Sequence, residues 1–166
     1  MTNRVAVGSL VLSAAALVGL LLEESYTDKA IIPTKNDRWT VGFGSTFKED
    51  GSPVQPGDTI TPPKAVARTY AHIAKDESKL KQCVKAPLSQ TEYDLLVKFS
   101  YQYGTAKTCA SSMVKLINEG EYAKACDAYL LYKYSGGYDC SIPGNKRCGG
   151  VWKRQLERQA ACKEAQ

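Results

Sequence analysis

The stretch from Glu23 to Phe47, EESYTDKAIIPTKNDRWTVGFGSTF, carries the residues whose types and order suit chemistry best. It opens on a pair of carboxylates at the end of an apolar run. It then alternates hydrophobic and polar residues, with Gly42 and Gly44 interrupting a β-like pattern. That reads as a helix end, a loop and a hairpin. A carboxylate beside such a hairpin, with hydroxyls on the strand facing it, can protonate a glycosidic oxygen while a water is placed opposite. The expected reaction is cleavage of a polysaccharide.

The other residue types narrow the field. His72 is the only histidine and has no companion cluster, so it reads as a surface or packing residue. A Ser-His-Asp hydrolase and most zinc enzymes therefore leave the list. The six cysteines (Cys83, Cys109, Cys126, Cys140, Cys148 and Cys162) form no C-x-x-C pair, which argues against zinc or redox chemistry. Neither a cofactor nor a metal is expected. A net charge of +5 and a pI near 8.8 suit an anionic partner: the bacterial wall, anionic lipid or nucleic acid. The basic residues are spread along the chain without a zinc-finger, basic-zipper or RNA-binding signature, so no nucleic-acid partner is expected.

The elements that must position these residues follow from periodicity and punctuation. A chain of 166 residues can bury one core without help from metals. Val5 to Leu22 is eighteen residues without a charge, preceded by Arg4 and followed by Glu23 and Glu24. That length just spans a bilayer, and the flanking charge would keep the N-terminus in the cytoplasm. The run is weak, since it holds Gly8, Ser9, Ser13 and Gly19 besides its alanines. A cleaved signal peptide, with small residues around Ala14 to Ala16, and a buried N-terminal helix are the two other readings of the same segment. The expected organisation is an N-terminal anchor or release segment over 1–22, able to become the first helix, and a catalytic domain over 23–166.

Beyond the hairpin, KEDGSPVQPGDTITPP reads as loop or a short edge strand. Thr61 as N-cap and Pro62 at the first helical position open a helix to about Val84, with Val66, Tyr70, Ile73 and Leu80 near a helical period. Ser89 and Glu92 form a capping box for a helix to about Tyr103, stopped by Gly104. Its Leu95, Leu96, Phe99 and Tyr103 are expected at the buried centre of a helical lobe. Helices over Ser111 to Asn118 and about Glu121 to Lys133 follow, with a break at Gly120. SGGYDCSIPGNKRCGG reads as loop, and a helix from Val151 to about Glu164 closes the chain. An even cysteine count behind an export-capable N-terminus favours disulfides, and Cys140 to Cys148, closing one Gly-rich loop, is the first pair expected. Six reduced cysteines in a cytosolic protein are the alternative.

The chain resembles the phage-type lysozymes, glycoside hydrolase family 24. Their N-terminal signature is a Glu closing a helix, a short connection to a hairpin, and a Thr just before a hydrophobic-Gly-x-Gly strand. Here Glu24 fits the first part, and Thr40 followed by VGFG fits the last. PLSQTEYDLLVKFSYQYG (Pro87 to Gly104) is similar to the family's central core helix. MVKLINEGEYAKA (Met113 to Ala125) resembles its next helix pair, and GGVWKRQLERQAAC (Gly149 to Cys162) its last, Arg-rich helix. There is one departure. The family carries an Asp or Cys six positions before the Thr, and here that position is Thr34; Asp37 in TKND is the nearest carboxylate. Asp37 either supplies the second negative charge or shapes the turn.

The resemblance implies an α+β, lysozyme-like fold, with a small β-hairpin lobe, a larger helical lobe and the active-site cleft between them. It implies an endolysin that hydrolyses the β-1,4 bond between N-acetylmuramic acid and N-acetylglucosamine in the glycan strands of peptidoglycan, for host cell lysis. Glu24 would be the general acid, Thr40 would orient the attacking water and Asp37 would supply negative charge. Some endolysins of this family carry a signal-arrest-release segment, which would tether the chain to the host inner membrane through Val5 to Leu22 and later free it, as a monomer, into the periplasm. The alternative is a catalytically weakened wall-binding or membrane-anchored protein of the same fold.

Overall fold

The computed structural model describes residues 3–33 and 37–166. Two compact units emerge: one comprises the N-terminal segment through Leu12 together with Ser78–Gln166, the other Ser13–Glu77.

The 13–77 unit begins with helix α1, Ala14–Glu23, because Ser13 accepts the Ala16 N–H at its side-chain oxygen and satisfies one of the helix's orphan donors. Glu24 is the residue that ends it, in extended conformation, with its N–H still donating to the Leu20 carbonyl. Strands β1 (Thr27–Ile31) and β2 (Thr40–Gly42) pair antiparallel, with Thr27 opposite Gly42 and Ile31 opposite Thr40. Val41 and Ser45 exchange both backbone hydrogen bonds, so the chain reverses within VGFGS. The turn uses left-handed backbone at Gly42 and Gly44, φ +70° and +77°, which glycine adopts without steric cost. Val41, Val54, Ile60 and Ala65 form the small core beneath, with Tyr26, Trp39 and Phe43 packed on it. The segment after the hairpin adds backbone pairing rather than a full strand: Lys29 bridges Thr59, and Phe47 bridges Pro53.

Helix α2 runs over Pro62–Cys83 and contributes to both units. Its buried side reads Ala65, Thr69, Ile73 and Leu80. Tyr70, expected on that face, is 56% exposed, because it falls one position beyond the Ala65–Thr69–Ile73 row of i, i+4 neighbours that meets the core.

The unit that holds the C-terminus is helical. Helix α3, Gln90–Tyr103, opens on the expected capping box: Ser89 accepts the Glu92 N–H, while the Glu92 carboxylate accepts the Ser89 N–H at 2.8 Å. It stops at Gly104, φ +85°. Leu95, Leu96 and Phe99 are buried. Tyr103 is only partly so; its ring lies 4.4 Å from that of Phe99, and its hydroxyl accepts a hydrogen bond from the fully buried Gln155. A one-turn helix, α4 (Thr105–Cys109), was not expected from the sequence. Helices α5 (Ser112–Asn118, capped by Ser111) and α6 (Tyr122–Ala128) follow, and a 3-10 turn over Tyr129–Leu131 ends the stretch two residues short of Lys133.

The glycine-rich segment is not all loop. Strands β3 (Tyr134–Ser135) and β4 (Tyr138–Asp139) form a hairpin across Gly136 and Gly137, both at positive φ. The last helix, α7, takes in both terminal glycines and spans Gly149–Glu164. Three disulfides join Cys83 to Cys109, Cys126 to Cys162 and Cys140 to Cys148; the last is the pair expected from its loop.

The uncharged N-terminal run is divided. Val5 pairs with Leu88, Val7–Ser9 make a 3-10 turn, and the chain is extended at Leu10 before α1 begins at Ala14. Among the described residues no helix is long and apolar enough to cross a membrane.

Candidate active site

Glu24, Asp37 and Thr40 all fall in the 13–77 unit. Glu24 emerges where α1 gives way to extended chain, so its side chain leaves the helix end half-buried while Glu23 beside it is exposed. The tight turn of the hairpin comes up against it: a Cβ built on Gly44 would stand 3.7 Å from the Glu24 Oε2. A carboxylate oxygen therefore rests beside backbone that carries no side chain.

Thr40 starts β2, opposite Ile31. Its side chain is buried, and its hydroxyl donates to the Ile31 carbonyl at 3.4 Å, a long bond that holds the hydroxyl loosely. The hydroxyl oxygen keeps acceptor capacity. Thr40 and the Gly44 turn belong to the same short hairpin, so the register of β2 ties the position of the hydroxyl to that of the turn at Glu24.

Asp37 is exposed on the connection between β1 and β2, and its Oδ1 accepts the N–H of Arg38 at 2.8 Å. Thr34, the position at which the family signature places its acidic or thiol residue, lies outside the described residues. His72 is on the surface and faces Asp76 one turn later, Nε2 to Oδ2 3.2 Å. Among the described residues no group of three or more His, Cys, Asp or Glu side chains is arranged to hold a metal ion.

Sequence reasoning passed over Tyr26. It lies between Glu24 and β1, its ring is 5.4 Å from that of Phe43 in the turn, and its hydroxyl donates to the Ile60 carbonyl at 2.8 Å. One side chain thus braces the strand leaving Glu24 against the turn and against the segment before α2. The signal was available as an aromatic residue two positions beyond the carboxylate, but nothing local says what it touches.

The phage lysozyme family model matches residues 22–157. The endolysin of Salmonella phage P22 is 31% identical over 125 residues, which is 75% of this chain and 82% of the relative. The SAR-endolysin of Escherichia phage 933W is 30% identical over 125 residues, 75% of this chain and 70% of that one. A solved structure of a P22 lysozyme mutant, 27% identical, superposes with a TM-score of 0.75 over 93% of this chain and 99% of its own. The endolysin of the Escherichia coli O157:H7 phage FAHEc1, 22% identical, shares the fold with a TM-score of 0.77 over 98% and 96% of the two chains.

Proposed function

The chain belongs to the phage lysozyme family, and from that premise we propose that Glu24 is the proton donor with which it cleaves peptidoglycan. The protein is a glycoside hydrolase, a muramidase acting on the β-1,4 bond between N-acetylmuramic acid and N-acetylglucosamine. Glu24 gives its proton to the glycosidic oxygen as the bond to the sugar breaks. Thr40 accepts a hydrogen bond from the attacking water and orients it, Asp37 supplies negative charge to the developing cation, and the proton the water sheds passes to solvent, from which Glu24 is reprotonated. The observation that carries this reading is the closeness of the Glu24 carboxylate to the side-chain-free backbone at Gly44. The test is clearing of chloroform-treated Gram-negative cells by purified protein. Glu24→Gln should slow clearing on the order of 100-fold or more with the melting temperature unchanged; a folded, fully active Glu24→Gln protein would overturn the assignment.

The finer reading concerns where the enzyme waits. The segment Val5–Leu22 first spans the host inner membrane with Arg4 on the cytoplasmic side, then leaves the bilayer, and the released monomer works in the periplasm. This is supported by the uncharged run behind Arg4 and by relatives named SAR-endolysins. It is supported too by the divided shape of the segment, whose folded form suits a state outside the lipid. Gly8 and Ser9 are exposed, and a Cβ on Gly8 would meet nothing within 4 Å. Leucine at both positions strengthens the span with little effect on the folded enzyme. Gly8→Leu/Ser9→Leu should hold the protein in the membrane fraction and delay lysis. Lysis on the wild-type schedule, or a mature chain lacking the segment, would overturn the anchor.

A further inference from the structure

We propose that Arg4, Glu92 and Gln166 form a latch that makes exit of the N-terminal segment from the membrane one-way; this rests on the anchor reading above. The latch lies wholly within the unit that contains α3. Both Glu92 oxygens accept from the Arg4 Nε, at 3.1 and 3.0 Å, and the Arg4 Nη2 donates to Oε1 at 2.7 Å. Gln166, the last residue, donates its amide to the same Oε1 at 3.0 Å and accepts from the Arg4 Nη2 at 2.8 Å. The guanidinium is 3.7 Å from the centre of the Tyr122 ring. The segment behind it is seated as specifically. Val5 and Leu88 exchange backbone hydrogen bonds of 2.9 Å, Gln90 donates to the Val11 carbonyl, and Val7, Leu10 and Leu12 are buried.

A membrane anchor needs none of this. The Glu92 side chain is 3% exposed, and a carboxylate so deeply buried is costly unless a cation meets it. Arg4 is that cation, and it is also the charge that marks the cytoplasmic end of the apolar run. While the run spans the bilayer, Arg4 and Glu92 are on opposite sides, and the site for Arg4 stands open. Passing Arg4 through the hydrocarbon is the expensive step of release. Once across, the guanidinium closes on Glu92, and return would strand a buried carboxylate. The latch therefore sets the final partition between membrane and periplasm and leaves the chemistry at Glu24 untouched.

The test follows the full chain in cells after membrane depolarisation, by membrane and periplasmic fractions. Glu92→Gln keeps Arg4 as the topogenic charge and keeps an acceptor for the Ser89 N–H, but removes the charge that captures Arg4. Arg4→Lys keeps the topogenic charge and loses the two-pronged geometry. The soluble fraction of Glu92→Gln should fall several-fold, with Arg4→Lys between it and wild type. Released Glu92→Gln protein should rebind vesicles of phosphatidylethanolamine and phosphatidylglycerol, and wild type should not. Equal partition of all three proteins, with wild type first in the membrane and then released, would overturn the latch alone. Wild type never found in the membrane would overturn the anchor and the latch together. The melting temperature of the soluble fraction separates a lost latch from a lost fold.

Discussion

The carboxylate of Glu24 and the backbone of Gly44 are neighbours: a methyl group added at Gly44 would lie 3.7 Å from the Glu24 Oε2. The end of α1 and the turn of the hairpin thereby meet at the Glu24 carboxylate.

Glu24→Gln keeps size and hydrogen-bonding capacity but has no proton to give. Clearing of cells should fall on the order of 100-fold or more, the usual scale for loss of a general acid. Glu23→Gln, at an exposed position, should stay active. The reverse pattern would place the donor one residue earlier.

Asp37→Asn separates two roles. If its charge serves the reaction, a folded Asp37→Asn protein loses most of its activity. If it serves the Arg38 N–H, the amide oxygen replaces the carboxylate and activity follows thermal stability. Measuring clearing and melting temperature on the same preparation decides between them.

Gly42→Ala should weaken the hairpin. At φ +70° a side chain costs about 1–2 kcal/mol, and the new Cβ would meet the Ala65 Cβ at 3.0 Å, inside the small core. A lower melting temperature is expected. Gly44→Ala, at φ +77° but with only Glu24 nearby, should lose activity out of proportion to stability.

The three disulfides should differ in worth. On the loop-entropy account the bridges with sequence separations of 26 and 36 contribute about 3.5 to 4 kcal/mol each, and the one with a separation of 8 about 2.5 kcal/mol. Replacing Cys126 and Cys162 by serine should lower the denaturant midpoint more than replacing Cys140 and Cys148.

Acid should loosen the N-terminal seat. Burial pushes the Glu92 carboxyl up, but the hydrogen bonds from Arg4, the Ser89 N–H and Gln166 together hold it below the ordinary carboxylate range. A carboxyl lowered by folding adds stability that is present above its unfolded pKa, near 4.5, and is lost as pH falls through the folded value. Thermal melts taken from pH 6 downward should lose less for Glu92→Gln than for wild type.

What the sequence determined by itself lies within a turn or two of chain. Ser89 and Glu92 cap α3 because i and i+3 meet in any helix start, and Gly104 ends it because left-handed backbone favours glycine. The helix end at Glu24 and the strand beginning at Thr40 were legible for a similar reason, lying in a short linear pattern, and the Cys140–Cys148 bridge closes a loop small enough to read directly. Tertiary structure decided what depends on the path of the chain. The partner of Glu92 is Arg4, 88 positions away, and no periodicity points from one to the other. The pairings of Cys83 with Cys109 and of Cys126 with Cys162, the brace from Tyr26 to Ile60, and the outward turn of Tyr70 are of the same kind. The β3–β4 hairpin escaped notice because its glycines supply turn geometry whose use as a loop or as a hairpin depends on whether the flanking strands, here two residues each, find one another. Local rules bound the conformations each segment can take; burial and pairing at a distance select among them, because a buried carboxylate or an apolar face is satisfied by whichever partner the fold brings there.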